Sequence, residues 1–202
     1  MPLEIQRFLQ DRDLQDLEED PYNLRIKQKG EHFLFGYQMH ESDLSLELVR
    51  ECRGLILDRS QNWKVVSPGF PKFFNMGNTE QAASIDWDTA WIQEKLDGTC
   101  IVLDFYDGAW QPHTLGTFDA SSKVGGHRIR SEFDSPTFRE LFFQTFDDLY
   151  GIEALGALGR DWSYVFELCT DQNRVVTSYD RDRLVLLSMR HRESFQELSV
   201  HD

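Results

Sequence analysis

A lysine, an aspartate and a glycine stand together in a setting that could support nucleophilic chemistry. Lys95 lies two residues before the pair Asp97-Gly98, between apolar residues at 91–92 and a longer apolar run at 100–105. An Asp-Gly pair between two strand-like runs predicts a hairpin turn, because glycine tolerates positive φ and aspartate can bond its own backbone. Lys95 would then lie at the rim of a sheet. Its amine can act there as a nucleophile if burial or nearby positive charge helps it to lose a proton.

A plainer interpretation of the same residues is a surface hairpin that carries a solvated lysine. From average residue frequencies, the pattern Lys-x-Asp-Gly is expected by chance in about one in twenty chains of this length. The pattern therefore needs support from other parts of the chain before it indicates chemistry.

Length and composition indicate a folded globular protein. The chain has 202 residues, of which 40% are hydrophobic and 13% aromatic, and we expect a single domain over 1–202. No apolar run approaches the length of a membrane span and the first residues do not resemble a signal peptide, so we expect a cytoplasmic protein without a membrane partner. Cys52, Cys100 and Cys169 lack C-x-x-C spacing, and we expect reduced, mostly buried cysteines and no zinc site.

The formal net charge of −14 argues against a general nucleic-acid binder, since affinity for phosphate comes mainly from lysine and arginine. Any contact with a nucleic acid must therefore be local. The basic residues that could supply it lie near Arg50 and Arg53, in 123–130 and in 181–192. The acidic run at 11–20 is expected to be the solvated face of a helix.

The pattern along the chain predicts an α+β fold of mostly antiparallel strands with a few helices. Helices are expected at 3–18, 43–49, 79–84 and in a segment that Ser135 caps and Pro136 begins. Strands are expected at 23–27, 32–38, 54–58, 63–66, on both sides of Asp97-Gly98, at 111–118 after a turn at Asp107-Gly108, and at 164–169, 174–178 and 184–189. Loops are expected at 67–75, packed against the fold, and at 121–130.

Short patterns flank Lys95 in an order that resembles a known family. Glu51-Cys52-Arg53-Gly54 and the aromatic segment 70–75 lie upstream, whereas Tyr164-Val165-Phe166-Glu167 and Asn173-Arg174-Val175-Val176 lie downstream. Over roughly 20–195, this order and spacing resemble the adenylyltransferase domain of ATP-dependent RNA ligases of the bacteriophage T4 RNA ligase 1 type. The resemblance implies an antiparallel-sheet nucleotidyltransferase domain that uses ATP and Mg²⁺.

The resemblance also implies roles for individual residues. Lys95 corresponds to the nucleophile that becomes a lysyl-AMP, Arg53 and Lys72 to phosphate contacts, and Glu167 to the acidic residue near the ribose and the metal. The remaining positions that it assigns to nucleotide binding are Asp97 and Gly98, which shape the turn, Phe74 in the pocket, and Arg174. The partners implied are RNA ends, one with a 5′-phosphate that accepts AMP and one with a 3′-hydroxyl that displaces it.

Each assigned residue also has a structural interpretation. Glu167 follows the alternation of a strand and could equally point outward as a surface carboxylate. Arg53 could form an exposed ion pair in so acidic a chain. Lys72 could cap an aromatic loop, and Phe74 could be a core residue.

The chain departs from the family pattern in two places. Family members carry a basic residue beside the glycine that corresponds to Gly116, where this chain has Leu115, with His113 nearby as a partial substitute. The Glu-Gly metal motif and the Lys-x-Lys phosphate motif do not occur after residue 167. The resemblance therefore implies an incomplete domain, as a fragment, a split protein or a pseudo-enzyme, with the missing motifs on a C-terminal segment or a separate chain.

Two other functions remain open at this stage. One is a catalytically inactive relative that binds a nucleotide or a protein partner. The other is a nucleotidyltransferase with a non-RNA acceptor such as DNA or protein, which the acidic charge favours and the RNA-ligase spacing disfavours.

We expect the 202-residue chain by itself to adenylylate Lys95 weakly and to leave RNA ends unjoined. The loss of one well-placed electrostatic group typically lowers a rate about a hundredfold to a thousandfold, and two such motifs are absent. Gel analysis of 5′-phosphorylated RNA incubated with ATP and Mg²⁺ measures this. Adding a chain that carries both motifs should restore adenylylation, and sealing by the 202-residue chain at the rate of a complete ligase would contradict the expectation.

Overall fold

The computed structural model describes residues 2–79, 84–125 and 135–199 and places their strands in two antiparallel sheets. The first sheet has the order β1-β2-β3-β4, with β1 (Arg25–Lys29), β2 (His32–Gly36), β3 (Arg53–Asp58) and β4 (Lys64–Ser67). The second has the order β6-β5-β7-β8-β9, with β5 (Thr99–Tyr106), β6 (Ala109–His113), β7 (Trp162–Cys169), β8 (Arg183–His191) and β9 (Glu197–Ser199). Helices accompany both sheets, so the α+β prediction is confirmed.

The α-helices in the described ranges are α1 (Glu4–Asp11), α2 (Glu47–Glu51) and α3 (Phe138–Tyr150). Short 3-10 helices occupy Leu14–Glu18, Arg59–Gln61 and Ile152–Ala157. None of these helices is long and apolar enough to cross a membrane. The segment 3–18, predicted as one helix, forms α1 and then the 3-10 helix Leu14–Glu18. The helix predicted at 43–49 is α2, which begins and ends later than expected.

Helix α3 begins two residues later than the sequence pattern predicts. Its N-cap is Thr137, whose hydroxyl accepts the Glu140 amide, while the Glu140 carboxylate accepts the Thr137 amide. This reciprocal capping box satisfies two amides that a helix start leaves without partners, and Ser135 and Pro136 lie before it. The predicted apolar stripe is buried at Leu141, Phe142 and Phe146 and exposed at Leu149.

The two central strands of the first sheet are buried on both faces. Phe33 and Phe35 of β2 pack with Leu55 and Leu57 of β3 against α1 and α2. The alternate residues, including Ile56 of β3, point to the opposite face, where Tyr106 and Phe118 cover them. Successive side chains of a strand point to opposite faces, so the second sheet closes the side that the helices leave open.

The second sheet buries its other face under α3. The core there consists of side chains from β5, β7, β8 and α3, namely Ile101, Leu103, Phe142, Phe146, Phe166, Leu168 and Leu184. The β5–β6 hairpin turns at Asp107 and Gly108, whose φ values of 50° and 79° are the positive values that a two-residue hairpin turn requires. The hairpin predicted at this second Asp-Gly pair is therefore confirmed.

Two predicted strands are wrong. Residues 91–97 form no strand. The side chains of Trp91 and Ile92 are 74% and 89% exposed, so they point to solvent and do not pack on a sheet. Residues 174–178 form a loop, because the amides of Val176 and Thr177 donate to the Asp97 carboxylate and not to a neighbouring strand. Parts of the predicted turn at 79–84 and loop at 121–130 lie outside the described residues, and β9 was not predicted.

A buried polar network joins the two sheets. His113 of β6 lies 2.9 Å from the Ser67 hydroxyl of β4 and 3.2 Å from the Asp104 carboxylate of β5, measured from Nε2. Asp104 also accepts the hydroxyl of Ser163 on β7. All four side chains are fully buried. Their Ser, His and Asp composition is that of a hydrolytic triad, but complete burial assigns the group to structure, because no substrate can reach it.

We expect Asp104→Ala to lower the free energy of unfolding by about 2–5 kcal/mol, because it leaves the buried Ser163 hydroxyl without its acceptor and removes the buried carboxylate beside His113. Urea unfolding followed by circular dichroism measures the change. Asp148→Ala, on the exposed surface of α3, is the matched control and should change the value by less than about 0.5 kcal/mol. Equal unfolding curves for the two variants would show that the network does not hold the sheets together.

Candidate functional site

A cavity of about 440 Å³ lies where the segment before β5 meets β7 and the aromatic loop that follows β4. Its wall brings together four of the residues predicted from sequence: Arg53, Lys95, Gly98 and Glu167. The other lining residues are Phe70, Phe73, Gln93, Glu94, Leu96, Cys100 and Leu187. The cavity therefore combines two cations and two carboxylates with aromatic and aliphatic walls, which is the composition of a small-molecule site.

Gly98 is required for packing and not for a turn. A Cβ atom at this position would lie 2.3 Å from the Leu168 carbonyl oxygen and 2.7 Å from the Cys169 Sγ atom. Gly98 is not among the described glycines with positive φ, which corrects the prediction of a hairpin at Asp97-Gly98. The missing side chain lets the start of β5 lie directly against the end of β7. Lys95 and Glu167 are consequently held beside the same cavity.

Asp97 fixes the segment that carries Lys95. One of its carboxylate oxygens accepts the amides of Val176 at 2.8 Å and Thr177 at 2.6 Å. These two hydrogen bonds hold the pKa of the Asp97 carboxyl below its usual value. Its own amide donates to the Tyr179 hydroxyl at 2.8 Å. Asp97 thus ties its segment to the loop after β7, while Lys95 itself lies exposed at the mouth of the cavity.

Glu167 points into the cavity from β7. Its Oε1 atom accepts the Gly98 amide at 3.0 Å, which excludes the alternative of an outward surface carboxylate. Burial raises the pKa of the Glu167 carboxyl, although the Gly98 amide and the positive charges of Lys95 and Arg53 act in the opposite direction. The site therefore holds a carboxyl group whose charge is unfavourable for the fold, a condition common where function constrains a residue.

Arg53 enters the cavity from the first sheet and rests on aromatic rings. Its Nη1 atom donates to the Phe70 carbonyl at 3.0 Å, and its Cζ atom lies 5.4 Å and 5.1 Å from the ring centres of Phe70 and Phe73. In the part of the chain that the structure describes, none of the ion pairs within 4 Å involves Arg53. The guanidinium is thus held by carbonyl and cation-π contacts, and its charge is not neutralised by a bound carboxylate.

Three predicted residues lie away from this cavity. The Lys72 ammonium donates to the Phe73 carbonyl at 2.7 Å, lies 4.9 Å from the Phe74 ring centre, and lines a neighbouring cavity of about 660 Å³. Arg174 donates through Nε to the Val176 carbonyl. Lys72, Phe74 and Arg174 are therefore not part of the wall that Lys95 shares with Arg53 and Glu167. Their assignment to nucleotide binding stays a prediction.

Several residues at the site carried no clear signal in the sequence. Cys100 lines the cavity as a neutral thiol, because burial raises its pKa to about 12. Asn173 donates to the Leu168 carbonyl and the Thr99 hydroxyl, and so anchors the loop that holds Asp97. Asn173 belongs to one of the sequence patterns that carry the resemblance, but its role depends on contacts between distant segments. No local sequence pattern predicts that the Tyr179 hydroxyl binds the Asp97 amide, because the two residues are far apart in the chain.

A metal ion would have few protein ligands here. Among the described residues, no cluster of three or more His, Cys, Asp or Glu side chains could hold a metal. The cavity wall does carry two carboxylates, Glu94 and Glu167. Mg²⁺ commonly binds through one or two carboxylates together with substrate phosphates, and this donor set fits such a shared site.

Comparison with known proteins gives a family profile and two relatives. A profile described as RNA ligase, of the T4 RNA ligase 1 type, matches residues 51–202. A protein of Rhodothermus phage RM378 named RNA ligase is 32% identical in an alignment of 190 positions that covers 83% of this chain and 43% of the relative. A protein of Autographa californica nuclear polyhedrosis virus, whose name describes a bifunctional polynucleotide kinase/RNA ligase, is 30% identical over 87% of this chain and 26% of the relative. The chain thus spans less than half of either relative.

We expect Glu167→Gln to raise the melting temperature at pH 7. The pKa of the Glu167 carboxyl in the folded state lies above its ordinary value of 4.5, so the fold favours the neutral carboxyl. The stability that this preference contributes is complete below pH 4.5 and is lost as the pH rises through the folded-state pKa. Glutamine is uncharged and still accepts the Gly98 amide. The difference between variant and wild type should therefore shrink as the pH falls below 4.5.

Thermal unfolding of both proteins across this pH range tests the sign. Glu193→Gln is the matched control, because Glu193 is an exposed glutamate whose carboxylate lies 3.8 Å from the Lys64 ammonium. A wild-type protein more stable than Glu167→Gln at pH 7 would show that the charge of Glu167 is favourable in the fold.

Proposed function

Because the chain belongs to the RNA ligase family of the T4 RNA ligase 1 type, we propose that it is the adenylyltransferase part of an ATP-dependent RNA ligase. The observation that carries this proposal is the common cavity of Lys95, Arg53 and Glu167. These residues come from both sheets and from three separate segments of the chain. Nothing in their sequence spacing requires them to meet, so their meeting at one cavity supports a shared function.

The proposal extends to the fold. Two antiparallel sheets with helices on their outer faces are compatible with a nucleotidyltransferase domain, and we propose that 1–202 forms one such domain or part of it. The cavity lies at the junction of the sheets, since Arg53 starts β3 and Glu167 lies in β7. A site at such a junction can use groups from both sheets.

In the first step that we propose, the Lys95 amine attacks the α-phosphorus of ATP. A nitrogen–phosphorus bond forms, the bond from the α-phosphorus to the bridging oxygen breaks, pyrophosphate leaves, and the amine proton passes to solvent. We propose that Arg53 contacts the phosphates, because its guanidinium carries five N–H donors and the Phe70 carbonyl uses one. Glu94 and Glu167 would hold Mg²⁺ jointly with the phosphates, and the ion would neutralise part of their charge.

In the later steps, the AMP group moves from Lys95 to the 5′-phosphate of an RNA. An oxygen of that phosphate attacks the adenylate phosphorus, the bond to the lysine nitrogen breaks, and the amine regains its proton. A 3′-hydroxyl then attacks the 5′-phosphorus and its proton passes to solvent. The new phosphodiester bond joins the strands, and the anhydride bond to AMP breaks and releases AMP. RNA ends as partners follow from the family, and the acidic net charge of −14 confines their contact to local basic groups such as Arg53.

We expect any covalent AMP to be attached to Lys95. Incubation with radiolabelled ATP and Mg²⁺, followed by a denaturing gel and peptide mass mapping, identifies the modified residue. Lys95→Ala should abolish the label, because it removes the nucleophile at the cavity mouth. Lys64→Ala is the matched control, since Lys64 is an exposed lysine that pairs with Glu193 at 3.8 Å, and it should label like wild type.

An adduct on another lysine, or one that persists in Lys95→Ala, would refute this assignment. A protein that binds ATP and never forms an adduct, even with a chain that carries the missing motifs, would favour the inactive nucleotide-binding alternative.

A further inference from the structure

The segment that carries Lys95 depends on contacts made after it in the chain. Residues 91–97 belong to no helix or strand, and β5 begins at Thr99. Lys95 is exposed, so burial does not fix its side chain. A nucleophile must nevertheless stand in line with the bond that it breaks, and small errors in its position lower the rate strongly. Some contact close to Lys95 must therefore set the path of its backbone.

Tyr179 makes such a contact. Its hydroxyl oxygen accepts the amide of Asp97, two residues after Lys95, at 2.8 Å. The Asp97 carboxylate binds the amides of Val176 and Thr177 in the same loop. Asp97 is thus held through its main chain by a tyrosine hydroxyl and through its side chain by two amides. These contacts restrict both the position and the rotation of the peptide unit that leads to Lys95.

Tyr179 is itself held in place from two sides. The Arg183 guanidinium lies over its ring, with Cζ 5.0 Å from the ring centre. Its hydroxyl lies near the thiol of Cys169, whose sulfur is one of the atoms that exclude a side chain at Gly98. The hydroxyl that binds the Asp97 amide therefore lies beside the end of β7, the strand that carries Glu167.

We propose that Tyr179 is a positioning residue that sets the reach of Lys95 toward the phosphorus it attacks. This inference rests on the proposed function, and Tyr179 acts through Asp97 without touching the nucleotide. Loss of its hydroxyl should leave nucleotide affinity unchanged and slow the attack by Lys95. A residue that merely stabilised the fold would give a lower melting temperature without this separation of affinity from rate.

The test uses adenosine 5′-phosphorimidazolide, an activated AMP whose leaving group needs neither pyrophosphate contacts nor the missing motifs. Lys95 Nζ forms the bond to phosphorus, the phosphorus–imidazole bond breaks, and imidazole leaves with the proton that the amine loses. The rate of adduct formation on Lys95, measured by mass spectrometry at increasing reagent concentration, gives a maximal rate and a half-saturating concentration.

Tyr179→Phe removes one hydroxyl and keeps the ring under Arg183. We expect its maximal rate to fall about fivefold, the scale of one hydrogen bond, with the half-saturating concentration unchanged. Tyr150→Phe is the matched control, because the Tyr150 hydroxyl donates to the Leu184 carbonyl at 2.8 Å, away from the site. It should keep the wild-type rate, and thermal unfolding should show that both variants are folded.

Three results would overturn the inference. Equal maximal rates for Tyr179→Phe and wild type contradict it while the proposed function stands. A raised half-saturating concentration with an unchanged maximal rate assigns Tyr179 to nucleotide binding instead. A wild-type chain that forms no adduct on Lys95 contradicts the proposed function, and the inference falls with it.

Discussion

The candidate site depends on the docking of one sheet against the other. Arg53 comes from the first sheet, whereas Glu167 lies in the second and the segment of Lys95 leads into its strand β5. The buried network around His113 supplies polar contacts across that interface, and apolar residues such as Ile56 and Phe118 close the remaining space. A polar network without access to water favours a particular relative position, because any shift leaves buried groups without partners. The geometry of the cavity is therefore a property of the interface between the sheets.

Several features of the cavity lower the stability of the fold. Burial acts against the charge of Glu167, and the irregular segment before β5 leaves Trp91 and Ile92 exposed to solvent. Such features are costly in a fold and are expected where a ligand must enter. The surrounding structure offsets them with tightly held contacts, including the close approach at Gly98 and the anchoring of Asn173.

Much of the fold could be predicted from sequence, because it follows local patterns. Buried strands such as β3 and the positive φ of Asp107 and Gly108 are encoded within a few residues. The strand predictions fail where a contact with a distant part of the chain determines the backbone conformation. Val175 and Val176 have the composition of a strand, yet the Asp97 carboxylate takes the Val176 amide and the segment stays a loop. Lys72 lines the neighbouring cavity instead, because its ammonium donates to the Phe73 carbonyl, and its position in the sequence does not determine on which side of the aromatic loop that ammonium lies.

The packing at Gly98 bears on how this chain could change over generations. Any side chain there would collide with the Leu168 carbonyl and the Cys169 sulfur, so replacement of Gly98 would disturb the sheet whether or not the protein reacts with a nucleotide. Lys95 is exposed, and its replacement would cost the fold little. Related proteins without the proposed reaction would therefore retain Gly98 and accept substitutions at Lys95. In this part of the chain, conservation of Gly98 would indicate a packing requirement, whereas conservation of Lys95 would indicate selection for the proposed reaction.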